Sequence, residues 1–473
     1  TRRPWGVFLA VPGIGLGGVA GSWRAVSSET RQTVLNSSGG PRATVVPIQH
    51  DQPLRIEPLY DDPQVVSDAE LAAVLAKVRP KFPPKERRPN FVEHALRTWG
   101  VDATFSDPDV MSGIEMRDFL IDHGQFVASW GKEIPALLQA EDGGISIRWG
   151  RQKGASVHHD HLLASLTEAG ISRSQRVYVH GRRGATFDSI LQQALLDVRL
   201  DEKEVEWSAM AFALWLPPQK SWITADGRAM SFDLLAKRLM RGHGRFGVCS
   251  GTHRVYSLML LARIDEMMRT SGDKQSSDGL LSDAVLEDVY DHLASVRDLI
   301  NVSQFDDGSW PGNWYDGAEA VAFPADEEPH KKVIATGHHL EWLAIAPEYL
   351  HPPREQIRKA AQWIIRTTLD QSDEQLRKRY TFYSHVGNAL DCWSAFADRD
   401  LYHLGHFFET YPWPPGFYAW PWPFFALGGA NHRMMVLSNL GHLAILLGAT
   451  YGLGACVSRR VGICVRAVLF GMA

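Results

Sequence analysis

The feature that most constrains the fold of this chain is an internal repeat. Segments that begin at Glu206 and Glu341 share a Glu-Trp pair, two alanines and a Pro-Pro pair at identical offsets. Each copy is followed by a second helical pattern that carries a histidine, His253 in the first copy and His385 in the second. Since a proline pair stops a helix, one unit is an apolar helix, a stop, a connection and a histidine-bearing helix. Repeated helical hairpins predict an all-α protein, either an open solenoid or a closed α/α toroid.

A turn motif favours the closed form. The run Gln304-Phe305-Asp306-Asp307-Gly308-Ser309-Trp310 resembles the Q-x-x-D-G-S-W repeat of the squalene cyclase and prenyltransferase family. A partial copy begins at Gln139. Glycine permits a left-handed helix end, while Gln and Asp can bond free backbone groups and Trp can pack between hairpins. The resemblance, over about residues 100–400, implies an α/α toroid of repeated helical hairpins. To these helices we add small β-hairpin insertions: residues 145–149 are predicted to pair with residues 176–180, and residues 223–228 carry an Asp-Gly turn.

The N-terminal part is expected to lie at a membrane. Two arginines precede nineteen uncharged residues, Trp5 to Trp23, which is about the minimum for a bilayer span and has the usual charge order. Residues 1–25 are therefore interpreted as a membrane anchor or a signal peptide, with a glycine-rich disordered start as the alternative. Residues 26–66, rich in Ser, Thr, Pro and Gly, are predicted to be a linker. This places the folded body outside the cytoplasm.

The folded body is predicted to span residues 67–400. It begins with a capping-box pattern, Ser67 followed three residues later by Glu70. Residues 401–473 are atypical because they contain a single acidic residue, Glu409. This apolar tail is interpreted either as a second membrane segment or as a sequence artefact such as a frame shift.

Composition excludes some classes of function. With 45% hydrophobic and 22% charged residues, the 473-residue chain can bury a core. A net charge of -5 and no basic stripe argue against nucleic acid as a partner. The four cysteines are scattered and form no CxxC pair, so no disulfide framework is expected.

Two segments have spacings that suit zinc, the candidate cofactor. His158 and His161 would share one face of a helix, and Cys249 and His253 lie four residues apart. The Cys249–His253 segment resembles the Cys-His-Gly segment of lanthionine cyclases, which are zinc-bearing α/α toroids, although the remaining ligand motif of that family is not found. The alternatives are a solvated helix start at residues 158–161 and a buried cysteine beside a hydrogen-bonded histidine.

A third segment suggests acid–base chemistry. Gly337-His338-His339-Leu340-Glu341 resembles the Gly-His-x-x-Glu segment of the N-acylglucosamine 2-epimerase family, which is built on an α/α barrel. The resemblance implies that His338 is the acid/base and that Glu341 is its partner or a hydroxyl ligand. The repeat adds Glu206, His253 and His385 to this candidate catalytic set. In the alternative, Glu206 and Glu341 bond His253 and His385 as contacts between equivalent hairpins.

Three functions follow from these patterns. The favoured one is a binding protein whose central cavity holds a lipid, a glycan or a peptide, because it explains the repeat and the 16 tryptophans without a complete catalytic set. The second is a carbohydrate-active enzyme, an epimerase or a lyase, and the third is a zinc enzyme. Terpene cyclisation is disfavoured because the D-x-D-D motif is absent. The expected partners are a small-molecule or polymer ligand and, through the N-terminus, a membrane.

Overall fold

The structure, a computed structural model, describes residues 45–141, 143–241, 247–270 and 278–394. The predicted anchor (1–25), the first part of the predicted linker (26–44) and the atypical tail (401–473) lie outside the described residues. Across the described ranges, none of the helices has both the length and the apolar character that crossing a bilayer requires.

The described residues are mostly helical, which confirms the all-α prediction. They form fifteen α-helices: α1 (Asp68–Lys77), α2 (Pro89–Trp99), α3 (Gly113–Ile121), α4 (His123–Trp130), α5 (His161–Glu168), α6 (Phe187–Asp197), α7 (Val205–Trp215), α8 (Phe232–Met240), α9 (Thr252–Thr270), α10 (Asp283–Ser303), α11 (Ala318–Ala322), α12 (Pro329–Ile345), α13 (Arg354–Leu369), α14 (Asp373–Lys378) and α15 (Tyr380–Asp391). Short 3-10 turns lie at Pro84–Glu86, Val248–Gly251, Trp314–Asp316 and Glu348–Leu350.

Local sequence sets where the first helix begins. The Ser67 hydroxyl accepts a hydrogen bond from the backbone N–H of Glu70, and the Glu70 carboxylate accepts one from the backbone N–H of Ser67. This confirms the predicted capping box and satisfies two backbone donors that the helix itself cannot. Ser112 and Glu115 start α3 in the same way.

Six helices contact one another in cyclic order. α2 packs on α5, α5 on α7, α7 on α9, α9 on α12, α12 on α15, and α15 on α2. The helices that alternate with them in sequence pack against them from other sides: α3 on α2, α8 on α7, α10 on α9 and α13 on α12. Every residue of α7 is buried, including Glu206 and Ser208, so its polar side chains lie inside the protein.

Two small hairpins interrupt the helices. β1 (Leu138–Ala140) pairs antiparallel with β2 (Ile145–Ile147), and β3 (Ser221–Ile223) pairs with β4 (Ala229–Ser231) across the predicted Asp-Gly turn. The predicted pairing of residues 145–149 with residues 176–180 is wrong, because β2 takes its nearest neighbour in sequence, which closes the shorter loop. Gln139, the start of the partial turn motif, lies in β1 and not after a helix.

The full turn motif has the structural role expected of it. The Gln304 side-chain amide donates to the carbonyls of Gly308 and Gln356, at 2.9 and 2.8 Å. Gly308 has φ +97°, a conformation that glycine adopts readily. The buried Trp310 donates its indole N–H to the carbonyl of Ile300, at 2.8 Å. The motif therefore ties the end of α10 to α13.

The described part of the predicted linker packs on the helices and does not run free. Val46, Ile48 and Val65 are buried. The backbone N–H of Leu54 donates to the carbonyl of Leu214, and that of Leu59 to the carbonyl of Ala344. Apolar residues spaced through a polar stretch explain this placement, since burying them stabilises the packed form.

A candidate metal centre

Four side chains that could bind a metal meet between α9, α12 and α15. His253 lies on α9, His338 on α12 and His385 on α15, and all three are buried. Cys249 lies in the turn that precedes α9 and is partly accessible. One ligand atom from each of the four lies within 4.8 Å of the others.

The donor set fits zinc. Zinc takes thiolate and imidazole in a tetrahedron, and the usual bond lengths place ligand atoms about 3.3–3.7 Å apart. The four atoms observed within 4.8 Å therefore need to move by about 1 Å to reach that geometry. The rings are already close, with centroids 4.2 Å apart for His253 and His338 and 4.1 Å for His338 and His385, and in each pair they are inclined to each other by about 60°.

Several of these nitrogens lack hydrogen-bond partners. Neither ring nitrogen of His253 is hydrogen-bonded within the described ranges, and the same holds for Nε2 of His338. Leaving a buried polar group unsatisfied costs about 1–3 kcal/mol. A metal ion would give these lone pairs a partner.

Glu341 orients His338. The Nδ1 atom of His338 lies 2.5 Å from Oε2 of Glu341, and the Asn388 amide donates to Oε1 at 2.8 Å. Arg97 lies 3.4 Å from the same Oε1. Burial alone would raise the pKa of Glu341, but Arg97 and His338 outweigh it and lower that pKa to about 2. An ionised carboxylate on Nδ1 leaves Nε2 as the lone-pair nitrogen, the arrangement usual for a metal-binding histidine.

The turn that carries Cys249 is held in an unusual conformation. Cys249 and Ser250 have φ of 49° and 60°, values uncommon for residues other than glycine and often found at functional sites. The turn is fixed at each end: the N–H of Val248 donates to Oε1 of Glu206 at 2.9 Å, and the indole N–H of Trp314 donates to the carbonyl of Ser250 at 3.0 Å. The structure therefore fixes the direction of the thiol.

The thiol of Cys249 is neutral without a cation. Burial raises the pKa of Cys249, and the carboxylates of Glu341 and Glu206 raise it further, while Arg97 opposes them. A bound divalent cation reverses this balance because it deprotonates a coordinating thiol. Metal binding is thus expected to release a proton.

A second layer of charge surrounds the centre. Arg97 bonds Glu168 at 2.5 Å as well as approaching Glu341, and the hydroxyl of Tyr256 donates to Glu168 at 3.1 Å. Arg97 is 3% exposed, so salt in the solvent screens these ion pairs less than it screens pairs at the surface.

The structure brings together five of the predicted site residues. His253, His338, His385, Cys249 and Glu341 meet as described above, although they come from two separate sequence predictions. Glu206 lies at the edge of the group, where it holds the Cys249 turn.

The predicted metal pair His158 and His161 is wrong as a shared helical face. α5 begins only at His161. Asp160, the residue before it, has a left-handed φ of 54°, so the helix cannot extend back through Asp160 to His158. His158 Nδ1 instead lies 2.7 Å from Oε2 of Glu204. Neither histidine belongs to the four-residue group.

The prediction that both repeat copies form the same Glu–His contact is wrong. Glu341 approaches His385, with 3.9 Å between Oε1 and Nδ1. Glu206 does not bond His253, because its carboxylate accepts from the backbone of Val248. The helix of the second copy also ends at Ile345, ahead of Pro347, and not at its Pro-Pro pair.

Sequence reasoning did not single out the ionisable residues of α2. Glu93, His94 and Arg97 are all buried on this helix. The ring of His94 lies 4.6 Å from that of His161 and 4.8 Å from that of His385. The available signal was three ionisable residues within five positions of a helix whose other residues are apolar or small.

Comparison of the chain with protein-family models, with curated proteins and with solved structures found no match. The chemistry of the site is therefore argued from its own geometry.

Proposed function

We propose that this protein is a zinc enzyme whose ion is bound by His253, His338, His385 and Cys249. The observation that carries the proposal is the meeting of four ligand atoms within 4.8 Å at a buried position. The carboxylate of Glu341 behind His338 supports it, because a metal-binding histidine commonly donates its other N–H to such a group.

We also infer that the helices form an α/α toroid, as the turn motif favours. Two features support this: the cyclic contact order of α2, α5, α7, α9, α12 and α15, and the alternation of these helices with others that pack against them. In such a toroid, three of the ligands come from three consecutive inner helices, which places the ion near the axis. Toroids serve many functions, so the chemistry is argued from the site and not from the fold.

The arrangement supports catalysis if the ion also binds a water. Structural zinc sites keep four protein ligands, whereas catalytic sites leave one position for water. Cys249 is the one ligand that is partly accessible, and it lies outside the helices in a left-handed turn. A catalytic zinc can expand to five ligands, so with Cys249 still bound the ion would take a water on the accessible side of this residue, and that water would ionise near neutral pH. The reaction class that fits is zinc-assisted attack of water on a polar substrate.

The geometry favours this function over the carbohydrate-active alternative. In that alternative Glu341 is either the partner of His338, which the 2.5 Å contact agrees with, or the ligand of a sugar hydroxyl, and the geometry argues against the second role only. Both of its oxygens are already used, Oε2 by His338 and Oε1 by Asn388 and Arg97. The ligand-binding alternative does not account for the carboxylate–histidine pair beside His253, whose ring nitrogens have no hydrogen-bond partner among the described residues.

Zinc content tests the proposal. The full chain is stripped with a chelator, reloaded with zinc, dialysed and analysed for metal. We expect about one zinc per chain in the wild type, and at least a tenfold loss of affinity in His338→Gln. The matched control is His339→Gln, since His339 is the next residue, is equally buried and accepts from Trp342 outside the cluster. Absence of zinc from the wild type, or equal loss in both variants, contradicts the proposal.

The role of Cys249 is tested with cobalt. A thiolate bound to Co²⁺ gives a charge-transfer band in the near ultraviolet. We expect that band in the wild type and in Cys392→Ser, and its loss in Cys249→Ser. A band that survives in Cys249→Ser would remove this residue from the ligand set.

A further inference from the structure

A second buried carboxylate–histidine pair lies close to the candidate metal centre. Nδ1 of His161, at the start of α5, bonds Oε2 of Glu93 on α2. Both side chains are fully buried. Nε2 of His161 and Oε1 of Glu93 have no hydrogen-bond partner among the residues that the structure describes. Each residue of the pair thus has one polar atom that can form a further hydrogen bond.

Two aromatic rings connect the pair to the proposed ligands. The ring of His94 contacts those of His161 and His385, at 4.6 and 4.8 Å between centroids. The ring of Trp207 contacts those of His161 and His253, at 4.4 and 4.2 Å. The pair therefore lies one ring away from the metal cluster on two sides.

The two carboxylate–histidine pairs differ in their surroundings. Glu341 has Arg97 and Asn388 on its carboxylate. Glu93 has the hydroxyl of Ser156, at 3.2 Å, and the ring of His161, and within the described ranges no Arg or Lys side chain bonds to it. Burial raises the pKa of Glu93 to about 8, against the smaller opposing effects of Ser156 and His158. When two carboxyl groups at one site differ in protonation, the ionised one usually stabilises charge and the neutral one donates a proton.

We propose that His161 is the general acid–base group of this centre and that Glu93 is the positioning residue that shares its proton. This inference rests on the proposed zinc enzyme. As an acid, His161 releases the proton on Nε2 to the leaving atom of the substrate. The proton shared with Glu93 then stays on Nδ1, and the carboxylate of Glu93 is left ionised. As a base, Nε2 accepts a proton, and the shared proton returns to the carboxylate of Glu93.

Other ionisable groups face the pair and contribute to its behaviour. They come from α2, from the segment before α5, from the segment before α7 and from α9: His94, Arg97, His158, Glu204 and His253. The test therefore compares the titration midpoint of each variant with that of the wild type, because these other groups affect the absolute midpoint in all of them.

The test follows the visible spectrum of the Co²⁺-loaded full chain from pH 5 to pH 9. Deprotonation of a metal-bound water changes this spectrum, and a negative charge nearby opposes that deprotonation. We expect Glu93→Gln to lower the midpoint by about one pH unit, because the variant cannot become negative. His161→Gln should shift it as well. Both variants should bind Co²⁺ within about threefold of the wild type, as should the control His339→Gln, which should leave the midpoint unchanged.

The outcomes separate the two proposals. If the wild type binds no Co²⁺, the proposed metal centre itself is wrong. If Co²⁺ binds but the midpoint is the same in Glu93→Gln, His161→Gln and the wild type, the pair has only a structural role. A wild-type spectrum that does not change with pH would also overturn the inference, since it would mean that no bound water ionises. Circular dichroism confirms the fold, and His161→Gln decides the matter if Glu93→Gln does not fold.

Discussion

The imidazole rings of His253 and His338 lie 4.2 Å apart, where α9 meets α12, although the two residues belong to different copies of the predicted repeat. Burial lowers the pKa of His253, and the nearby His338 lowers it further. His253 is therefore neutral, so its lone pair is available to a metal at neutral pH. This contact is the centre of the proposed site.

Glu341→Gln should weaken zinc binding by about 10–100-fold, the usual effect of removing the carboxylate behind a metal-binding histidine. The amide cannot hold the Nδ1 proton of His338 as a carboxylate does. Competition with a chromophoric chelator measures the affinity. Glu206→Gln is the matched control, because its side-chain oxygen can still accept from Val248. Equal losses in the two variants would contradict the role assigned to Glu341.

The stability of the metal-free protein should depend on pH through Glu93. Its folded pKa, about 8, is above the ordinary value of 4.5. Its stabilising contribution is thus complete below pH 4.5 and is lost as the pH rises to about 8. Between pH 5 and 8, Glu93→Gln should gain up to about 4 kcal/mol in unfolding free energy relative to the wild type, since each pKa unit is worth about 1.4 kcal/mol.

Urea unfolding in the presence of a chelator measures this difference. Glu341→Gln is the control, since its folded pKa of about 2 places its pH-dependent loss below pH 4.5. Its difference from the wild type should be flat between pH 5 and 8. Parallel curves for Glu93→Gln and the wild type would show that Glu93 is ionised in the folded protein.

Trp310→Ala should destabilise the protein by about 3–5 kcal/mol, the range for truncating a buried aromatic side chain. The change opens a cavity and leaves the carbonyl of Ile300 without its indole donor. Phe323→Ala is the control, because Phe323 is 77% exposed and surface changes usually stay within about 0.5 kcal/mol. Urea denaturation measures both. A loss below about 1 kcal/mol for Trp310→Ala would remove the turn motif from the structural core.

Gly308→Ala should cost about 2–5 kcal/mol, the sum of a left-handed backbone and a steric clash. A Cβ at this position would lie 2.5 Å from the backbone oxygen of Lys359 on α13. Gly184→Ala isolates the first cost, since Gly184 has φ +71° and nothing within 4 Å of its would-be Cβ. Thermal unfolding compares the two. Equal decreases of the melting temperature in the two variants would mean that α13 moves away from the added methyl group at no cost.

Local features of this protein could be predicted from short stretches of sequence. The capping box at Ser67, the Asp-Gly hairpin after Ile223 and the turn around Gly308 each depend on residues a few positions apart, and each was confirmed. These elements need no information from distant parts of the chain.

Only part of the candidate metal site could be predicted from the sequence. Cys249 and His253 were found because their spacing suits a shared zinc, and His338 and Glu341 because they share a helix face. No local pattern says that these two pairs meet, or that His385 joins them. Helix packing brings them together, since α9, α12 and α15 contact one another in succession.

The same limit explains the errors. The His158–His161 spacing suits a helix, but the left-handed backbone at Asp160 starts α5 only at His161. Glu93, His94 and Arg97 carry no recognisable spacing, and their role depends on partners on α5, α12 and α15. The sequence by itself determined the helices, their caps and their turns, because those rest on hydrogen bonds between near neighbours. Only the tertiary structure decided which buried charges face each other, because a long-range contact depends on how the helices pack.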